Sequence, residues 1–217
     1  MNLMLLGAQG SGKGTQGALL ARQYELEPCA SGDLLREAIA QGTPIGQQVR
    51  PYVEGGDLVP DELMVGMILE RLKSLSHAKG IILDGFPRNL AQAQTLDERL
   101  AEMGLPISWV IYLEAPREVL LDRLSGRYIC RAYGHVYNIK SNPPRRPGIC
   151  DIDDSELYQR SDETSEKIQH RLDIFFAETQ PLTTYYAQQG KLITVDATQS
   201  IEDVNRAILA KLGAVGV

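Results

Sequence analysis

The fold of this chain is decided by the stretch Leu3-Met4-Leu5-Leu6-Gly7-Ala8-Gln9-Gly10-Ser11-Gly12-Lys13-Gly14-Thr15. Its first four residues form an apolar run typical of a buried strand, and an Ala- and Leu-rich helical stretch follows it. A strand, a glycine-rich loop and a helix in this order form a phosphate-binding loop. Backbone N–H groups and the helix N-terminus then face one anion, and Lys13 reaches the outer phosphates. The sequence therefore predicts a nucleoside triphosphate site at residues 10 to 15.

The loop departs from the usual pattern G-x-x-x-x-G-K-[ST] at its last position. Gly14 stands where Ser or Thr is expected, and the hydroxyl follows one place later on Thr15. An ordinary glycine-rich turn between a strand and a helix is the alternative. The strand before the loop, Lys13 within it and the helix after it favour phosphate binding. This variant is similar to the loop of nucleoside monophosphate kinases.

Length, charge and cysteine content limit the possible classes of protein. The chain has 217 residues, a net charge of -6 and a pI near 5.2. This length fits one α/β core with insertions better than two full-sized enzyme domains. The acidic balance offers no basic surface for nucleic acid, no apolar run is long enough for a membrane span, and the first run lacks the basic lead of a signal peptide. Three cysteines do not make a disulfide framework. We therefore expect a cytoplasmic monomer without nucleic-acid or membrane partners.

Further apolar runs predict the rest of the sheet. They lie around Cys29 and at residues 81–83, 109–113 and 192–195, and a helical pattern follows each of them. Strands separated by helices predict an α/β fold with a parallel sheet and helices on both faces. One helical stripe is well defined after residue 163, with spacings of 4, 3, 4, 3 and 4; it consists of Ile168, Leu172, Phe175, Thr179, Leu182 and Tyr186.

Two segments interrupt the alternation of strands and helices. Residues 31–60 contain two short helical patterns where one crossover is enough, and residues 127–163 are rich in Pro and Gly without a long helical period. Long segments of this kind in a compact domain are usually lids or binding elements. We predict a core of residues 1–30, 61–126 and 164–217, with residues 31–60 and 127–163 as insertions.

Three motifs together resemble those of adenylate kinase of the long-lid bacterial type. They are the glycine loop, Ser31-Gly32-Asp33-Leu34-Leu35-Arg36 and Asp84-Gly85-Phe86-Pro87-Arg88. The arginines that border the second insertion match as well, and the resemblance covers essentially the whole chain. It implies the P-loop nucleoside monophosphate kinase fold, a five-stranded parallel sheet flanked by helices. It also implies an AMP-binding flap at residues 31–60, a lid at residues 127–163 and the reversible Mg2+-dependent reaction ATP + AMP = 2 ADP.

The reaction implied by the resemblance makes cations the expected catalysts. The acceptor oxygen belongs to a phosphate that is already anionic, so no general base has to remove a proton. The protein must align donor and acceptor, neutralise charge and exclude water. The positions that match the catalytic cations of the family are Lys13, Arg36, Arg88, Arg123, Arg127, Arg160 and Arg171. For a single arginine the alternative is a solvated helix face, but six at matching positions favour the catalytic interpretation.

The resemblance also implies two sets of nucleotide contacts. The ATP-binding positions are Gly10, Ser11, Gly12, Lys13, Gly14, Thr15, Arg123, Arg127, Val136, Tyr137 and Gln199. The AMP-binding positions are Ser31, Arg36, Asp57, Leu58, Val59, Gly85, Phe86, Pro87, Arg88, Gln92, Arg160 and Arg171. Gln92 can offer both a donor and an acceptor to the edge of adenine. Two positions depart from the family, which usually has Thr at position 31 and often has Lys at position 199.

Acidic residues near phosphates need a cation between them and the substrate. Asp84, at the end of the third predicted strand, and Asp33 would orient water molecules on Mg2+ bound with ATP. For Asp33 the alternative is a first-turn carboxylate that stabilises its helix. Asp162 and Glu163 match positions where the family pairs carboxylates with arginines at the hinge of the lid.

The cysteines of the second insertion raise the question of zinc. Cys130, Cys150 and Asp153 match three of the four ligands in relatives whose lid holds zinc, in the spacing C-x2-C-x16-C-x2-[CD]. The fourth position is Tyr133, a poor zinc ligand, although His135 or a water molecule can complete a tetrahedron. The alternative is a lid held by hydrogen bonds and packing, and from the sequence we favour that alternative, with no metal. Cys29 lies in a predicted strand and is expected in the core.

Two other functions are consistent with parts of the sequence. A kinase for GMP, UMP, CMP or a small hydroxyl acceptor would share the glycine loop, although a hydroxyl acceptor favours a general base that we do not identify. A P-loop switch protein would need a guanine-reading string such as Asn-Lys-x-Asp, which does not occur in the chain.

Overall fold

The computed structural model of the protein describes residues 1–75, 79–159 and 164–216. Its strands are β1 (Leu3–Leu6), β2 (Glu27–Ala30), β3 (Ile81–Asp84), β4 (Trp109–Glu114), β5 (Arg127–Cys130), β6 (Val136–Asn138), β7 (Leu157–Tyr158) and β8 (Leu192–Asp196). Its helices are α1 (Lys13–Tyr24), α2 (Ser31–Ala40), α3 (Pro44–Gly55), α4 (Asp61–Lys73), α5 (Leu90–Glu102), α6 (Arg117–Ser125), α7 (Ser165–Ile174), α8 (Leu182–Gln188) and α9 (Ile201–Ala214). No helix within the described ranges is both long and apolar enough to cross a membrane.

The main sheet has five parallel strands in the order β2-β3-β1-β4-β8. β1 is central, and its Met4 lies between Leu83 of β3 and Val110 of β4. This arrangement confirms the five-stranded parallel sheet flanked by helices that the sequence predicts. Because the strands run in one direction, their carboxyl ends share one edge, where sheets of this class bind ligands.

Both faces of the main sheet are buried, because successive residues of a strand point to opposite sides. Met4 and Leu6 belong to one apolar cluster, whereas Leu3 and Leu5 belong to another, and all four are at most 2% exposed. Burial of each such side chain stabilises the fold by about 1.5 to 3 kcal/mol. The unbroken apolar run of β1 therefore follows from its central place in a parallel sheet.

The predicted stripe after residue 163 is buried along its whole length, but it does not lie on one uniform helix. All six of its residues are buried, from Ile168 to Tyr186. Between α7 and α8 the chain makes a π-helical turn, Phe175–Thr179, in which Gln180 N donates to Phe175 O at 2.8 Å. Pro181 follows directly and has no N–H to continue an α-helical ladder.

The two insertions have different structures. Within residues 31–60, α3 packs tightly on α2, since a Cβ at Gly46 would lie 2.0 Å from Ala38 O. Within the described part of residues 127–163, β5, β6 and β7 form a separate antiparallel sheet in the order β6-β5-β7. Its apolar cluster contains four buried residues, Cys130, Tyr137, Cys150 and Leu157. The roles of these insertions as flap and lid stay predictions.

Candidate nucleotide-binding site

A cavity of about 830 Å3 lies at the carboxyl edge of the main sheet. It brings together the glycine loop after β1, the start of α2 after β2, and Asp84 at the end of β3. Among the predicted site residues it is lined by Gly10, Ser11, Gly12, Lys13, Gly14, Thr15, Ser31, Asp33, Arg36, Asp57, Leu58, Val59, Asp84, Gly85, Pro87, Arg88, Gln92, Arg123, Arg127, Val136, Tyr137, Arg171 and Gln199. Positions that are distant in sequence therefore share one space.

Four residues to which the sequence assigns a role are not found in this lining. Phe86 is 2% exposed and belongs to the apolar core, between Gly85 and Pro87 of the lining. Arg160, Asp162 and Glu163 lie outside the described residues. The predicted contribution of Phe86 to AMP binding would therefore come through its backbone or its support of the neighbouring residues.

The residue of the glycine loop that directly precedes α1 has a left-handed backbone conformation. Gly12 has φ 93° and ψ 11°, a conformation that glycine adopts without steric cost, and α1 begins at the next residue. Among the described residues, no side chain caps this helix N-terminus. The Ser11 hydroxyl is buried and has no hydrogen-bond partner in the described part of the chain. These features suit an anion at the loop, since uncapped N–H groups attract negative charge.

Lys13 and Asp84 form the electrostatic centre of the cavity. Lys13 Nζ donates to Ala8 O at 3.0 Å, and burial lowers the pKa of this ammonium group, while Asp84 opposes the shift. Burial raises the pKa of Asp84, while Lys13 and Arg88 lower it. Asp84 Oδ2 also lies 3.8 Å from the place that a Cβ on Gly14 would occupy. The carboxylate therefore faces the phosphate-binding loop.

Four arginines reach the cavity from distant elements and make contacts that orient them. Arg36 of α2 forms an ion pair with Asp33, and Arg88 Nε donates to Gly85 O at 2.9 Å. Arg171 Nη2 of α7 donates to Val53 O of α3 at 2.9 Å, and Arg123 Nη2 of α6 donates to Thr198 O at 3.3 Å. Guanidinium groups held in this way present planar donor edges that suit phosphate.

The predicted AMP side is built around Gly85. Its φ of 77° is left-handed, and a Cβ there would lie 2.7 Å from Ser31 Oγ, so that only glycine fits. Ser31 Oγ donates to Gly85 O at 2.8 Å. The hydroxyl that Ser31 keeps in place of the usual Thr therefore joins α2 to the motif after β3.

The predicted ATP base side includes Tyr137 and Gln199. The Tyr137 hydroxyl accepts from Asp151 N at 2.8 Å and lies 3.5 Å from Cys150 Sγ, so its polar end is engaged inside the small sheet. Gln199 Nε2 donates to Asp196 Oδ2 at 3.3 Å.

Two buried polar residues of the cavity were not singled out as site residues from the sequence. Gln16 Nε2 donates to Ile201 O at 2.9 Å and its Oε1 accepts from Asn205 at 3.0 Å, which joins α1 to α9. Thr179 Oγ1 donates to Arg88 O at 2.7 Å. The available signal was a polar residue inside a helical pattern: Thr179 interrupts an apolar stripe, and Gln16 follows the glycine loop directly.

The cysteines of the small sheet lie in a compact cluster with His135. One ligand atom from each of Cys130, His135, Cys150 and Asp153 lies within 4.8 Å of the others. His135 Nδ1 is 3.4 Å from Cys130 Sγ, 3.3 Å from Cys150 Sγ and 3.0 Å from Asp153 Oδ2. Tetrahedral zinc with ordinary bond lengths separates such ligand atoms by roughly 3.3 to 3.8 Å. The four groups therefore fit this ion.

His135, and not Tyr133, takes the fourth place in this cluster. Ile129 of β5 pairs with Val136 of β6, which sets Cys130 beside His135, and Cys130 N donates to His135 O at 2.9 Å. The Tyr133 side chain is 77% exposed at the tip of the turn, although its N–H donates to Cys130 Sγ at 3.3 Å. Burial raises the pKa of Cys130, but hydrogen bonds to its sulfur outweigh that effect and lower the pKa to about 7.

Comparison with known proteins decides the family. Residues 5–191 match the family model described as adenylate kinase. The chain belongs to the adenylate kinase family. Similar proteins include the adenylate kinase of Carboxydothermus hydrogenoformans, 45% identical over 96% of this chain and 97% of that protein. The adenylate kinase of Bacillus subtilis is 43% identical over 99% of both chains, and that of Methanosarcina acetivorans is 44% identical over 97% of this chain and 99% of that protein.

Membership of the adenylate kinase family confirms the resemblance drawn from the motifs. It also confirms the predicted class of enzyme, a phosphotransferase of the nucleoside monophosphate kinase type.

Proposed function

We propose that the cavity performs reversible phosphoryl transfer, ATP + AMP = 2 ADP, and so balances adenine nucleotides. One observation carries this proposal: Lys13, Arg88 and Arg171 come from distant parts of the chain and line the same cavity. The glycine loop binds the triphosphate of ATP, and Arg36 and Arg88 bind the phosphate of AMP. The nucleotide contacts predicted for the other lining residues belong to this proposal.

The reaction needs alignment and charge neutralisation more than acid–base chemistry. The attacking oxygen of AMP is anionic, and negative charge spreads over the transferred phosphoryl group in the transition state. Lys13 stays in contact with the phosphoryl group during its transfer, while Arg123, Arg127 and Arg171 neutralise the charge on the oxygens around it. Arg160 is assigned to the same set from the resemblance.

We assign the metal site for Mg2+, which enters with ATP, to Thr15, Asp33 and Asp84. Mg2+ prefers oxygen ligands and keeps several water molecules. All three residues line the cavity, and Asp84 faces the loop beside Gly14. When bound, the ion neutralises charge on the phosphates. Thr15 would hold its hydroxyl near the ion, and the two carboxylates would accept hydrogen bonds from water molecules bound to it.

We further propose that residues 31–60 act as the AMP-binding flap and residues 127–163 as the lid. Both close on substrate, because water must be kept from the phosphoryl group. Distances measured between a label on each insertion and one on the core should shorten when a bisubstrate analogue binds. Unchanged distances would refute closure.

The position of His135 changes our expectation about zinc. We propose that Cys130, His135, Cys150 and Asp153 hold a structural zinc ion, which would tie β5 and β6 to the segment before β7. A thiolate is the form of cysteine that binds zinc, and the lowered pKa of Cys130 favours it.

We also propose that the protein acts in the cytoplasm as a monomer. The acidic net charge and the free state of all three cysteines are in keeping with this proposal.

A coupled assay with AMP, GMP, CMP and UMP at equal concentration tests the proposed function. We expect ADP formation from ATP to be fastest with AMP. Faster turnover with another monophosphate would replace AMP as the substrate while leaving phosphoryl transfer intact. No turnover with any of them would refute the proposal.

A further inference from the structure

We infer that Asp61, a residue outside the lining of the cavity, sets the preference for AMP over GMP by fixing the side-chain amide of Gln92. This inference rests on the proposed function. Gln92 lines the cavity on the AMP side and is 2% exposed. Asp61 begins α4, and Gln92 lies in the first turn of α5.

The amide of Gln92 is bonded at both of its ends. Its Oε1 accepts from Arg88 N at 2.8 Å, and its Nε2 donates to Asp61 Oδ1 at 2.7 Å. Asn89 reinforces the arrangement: its Oδ1 accepts from Gln92 N at 2.8 Å, and its Nδ2 donates to the same oxygen of Asp61 at 3.0 Å. Arg88 is also anchored through its carbonyl, which accepts from Thr179.

These partners permit one orientation of the amide. A backbone N–H can only donate, and an ionised carboxylate can only accept. A flipped Gln92 would place its NH2 group against Arg88 N–H and its oxygen against the carboxylate of Asp61. Two hydrogen bonds would be lost. One donor would then face another donor, and one acceptor another acceptor, in a buried place where unsatisfied polar groups are costly.

An amide that is held in one orientation can pair with only one arrangement of donor and acceptor on a base. After the two internal bonds, Gln92 retains one N–H of Nε2 and one lone pair of Oε1. Adenine offers an acceptor ring nitrogen beside its N6 donor, whereas guanine has the acceptor O6 where adenine has the N6 donor. A glutamine that could rotate would flip and pair with guanine. The fixed one leaves its own oxygen against O6, and a site built for one hydrogen-bond pattern rejects the other strongly.

Two variants of Asp61 separate this role from a general effect on the fold. Asp61→Ala removes the acceptor, so that a flip of Gln92 costs only the bond from Arg88 N. Asp61→Asn keeps Oδ1, the atom that accepts from both amides, but removes the charge. Glu62→Ala is the matched control, because Glu62 is exposed and is the other first-turn carboxylate of α4. Any effect through the helix dipole should appear in Glu62→Ala and in Asp61→Asn as well.

The experiment compares kcat/KM for AMP and for GMP at saturating ATP and Mg2+. For Asp61→Ala we expect the AMP/GMP ratio to fall about tenfold, the worth of roughly one hydrogen bond. Asp61→Asn and Glu62→Ala should keep the ratio within about threefold of the parent protein, because the first variant retains the accepting oxygen and the second changes no partner of the Gln92 amide. The KM for ATP should not change in any variant, because Asp61 lies outside the triphosphate side.

The ratio is also independent of how much of a variant is folded, since both substrates meet the same folded fraction. An unchanged ratio in Asp61→Ala would overturn the inference, and so would an Asp61→Asn variant that loses selectivity as Asp61→Ala does. The parent protein is assayed first with AMP. Failure to use AMP there refutes the proposed function itself, whereas AMP use with an unaltered ratio in Asp61→Ala refutes only the role of Asp61.

Discussion

The two sheets of this protein are stabilised in different ways. The main sheet is covered on both faces by apolar clusters that contain all the buried strand residues of β1, β3 and β4. The small sheet of β5, β6 and β7 has four buried residues in its cluster, and two of them are cysteines. A unit of fewer than about 40 residues rarely buries enough apolar surface to fold without a metal, a disulfide or a partner.

This difference explains where each sheet places its polar chemistry. The main sheet can hold desolvated charges such as Lys13 and Asp84 at its edge, because its apolar core offsets their cost. The small sheet has a much smaller apolar core. Two members of its polar cluster of Cys130, His135, Cys150 and Asp153 are also part of that core. Under the proposed function, the buried polar groups of the main sheet serve the reaction, whereas under the zinc proposal those of the small sheet serve the structure.

The largest effect is expected from Lys13→Met at the edge of the main sheet. Loss of one preorganised cation should lower kcat for ADP formation by about a hundredfold to a thousandfold. Burial lowers the pKa of Lys13, which means that the charged form is held at a cost, so Tm should stay equal or rise. A coupled assay and a thermal melt give the two values. Lys73→Met, at an exposed position of α4, is the control. A decrease in kcat of less than tenfold in Lys13→Met would show that Lys13 is not a catalytic residue.

Removal of a cysteine should distinguish the two sheets directly. Cys130→Ala and Cys150→Ala should abolish the zinc content of purified, EDTA-washed protein, whereas Cys29→Ala in the main sheet should keep about one zinc per chain. Loss of the site should lower Tm by roughly 5 to 10 °C, at about 2 to 4 °C per kcal/mol for a protein of this size. Elemental analysis and calorimetry measure both effects. A parent protein without zinc would show that hydrogen bonds and packing alone hold the small sheet.

A narrower comparison concerns the fourth member of the cluster. His135→Ala should weaken zinc binding by at least about tenfold in competition with a chelator, since one ligand of a four-coordinate site is lost. Tyr133→Ala, at the exposed tip of the same turn, should leave the affinity unchanged. The reverse pattern would mean that β5 and β6 pair in a different register.

The choice between Tyr133 and His135 illustrates what the sequence can and cannot specify. Spacing alone aligns Tyr133 with a ligand position, but the register of β5 against β6 decides which side chain lies beside Cys130. That register depends on the turn at residues 131–134, where Gly134 adopts φ 72°. The sequence contains the turn, but its geometry determines which side chain faces Cys130. Cys29 was easier to place, because its position depends on a local apolar run. It is the buried residue of the edge strand β2, and burial raises the pKa of its thiol to about 11.

The cavity was largely predictable, because it depends on strand ends and local motifs. The glycine loop, Ser31, Asp84 and Arg88 each lie at or just after the end of a strand that an apolar run marks, and parallel strands gather their carboxyl ends at one edge. Asp61 and Gln16 were not predictable in the same way. Each forms a side-chain hydrogen bond to a residue on another helix, and no local sequence pattern predicts such a contact.

The pH dependence of stability tests whether the buried carboxylate of Asp84 destabilises the folded protein when it is ionised. Burial raises the pKa of Asp84 above its ordinary value of 3.8, so the folded protein holds this proton more tightly than the unfolded chain. The stabilising contribution of the protonated group is complete below the ordinary pKa and is lost as the pH rises through the folded pKa. Asp84→Asn removes this loss. The unfolding free energy of the variant minus that of the parent should therefore increase as the pH rises above the ordinary pKa of the carboxyl group.

Urea titrations at several pH values measure this difference. Asp122→Asn, at an exposed position of α6, should give a difference that does not follow the same course. A flat or falling curve for Asp84→Asn would show that Lys13 and Arg88 compensate the carboxylate fully, and the main sheet would then carry no cost at this site.

The smallest effect is expected from the surface of the small sheet. Arg131 Nε lies 2.9 Å from Glu156 Oε2, and the two side chains are 59% and 67% exposed. An exposed pair of this kind contributes about 0.2 to 1 kcal/mol, because water screens it and two long side chains must be ordered. A double-mutant cycle of Arg131→Ala and Glu156→Ala, followed by chemical unfolding of protein shown by elemental analysis to be free of zinc, should give a coupling in that range. A coupling of several kcal/mol would mean that surface ion pairs can replace the missing apolar core, and the small sheet would then not need its central cluster.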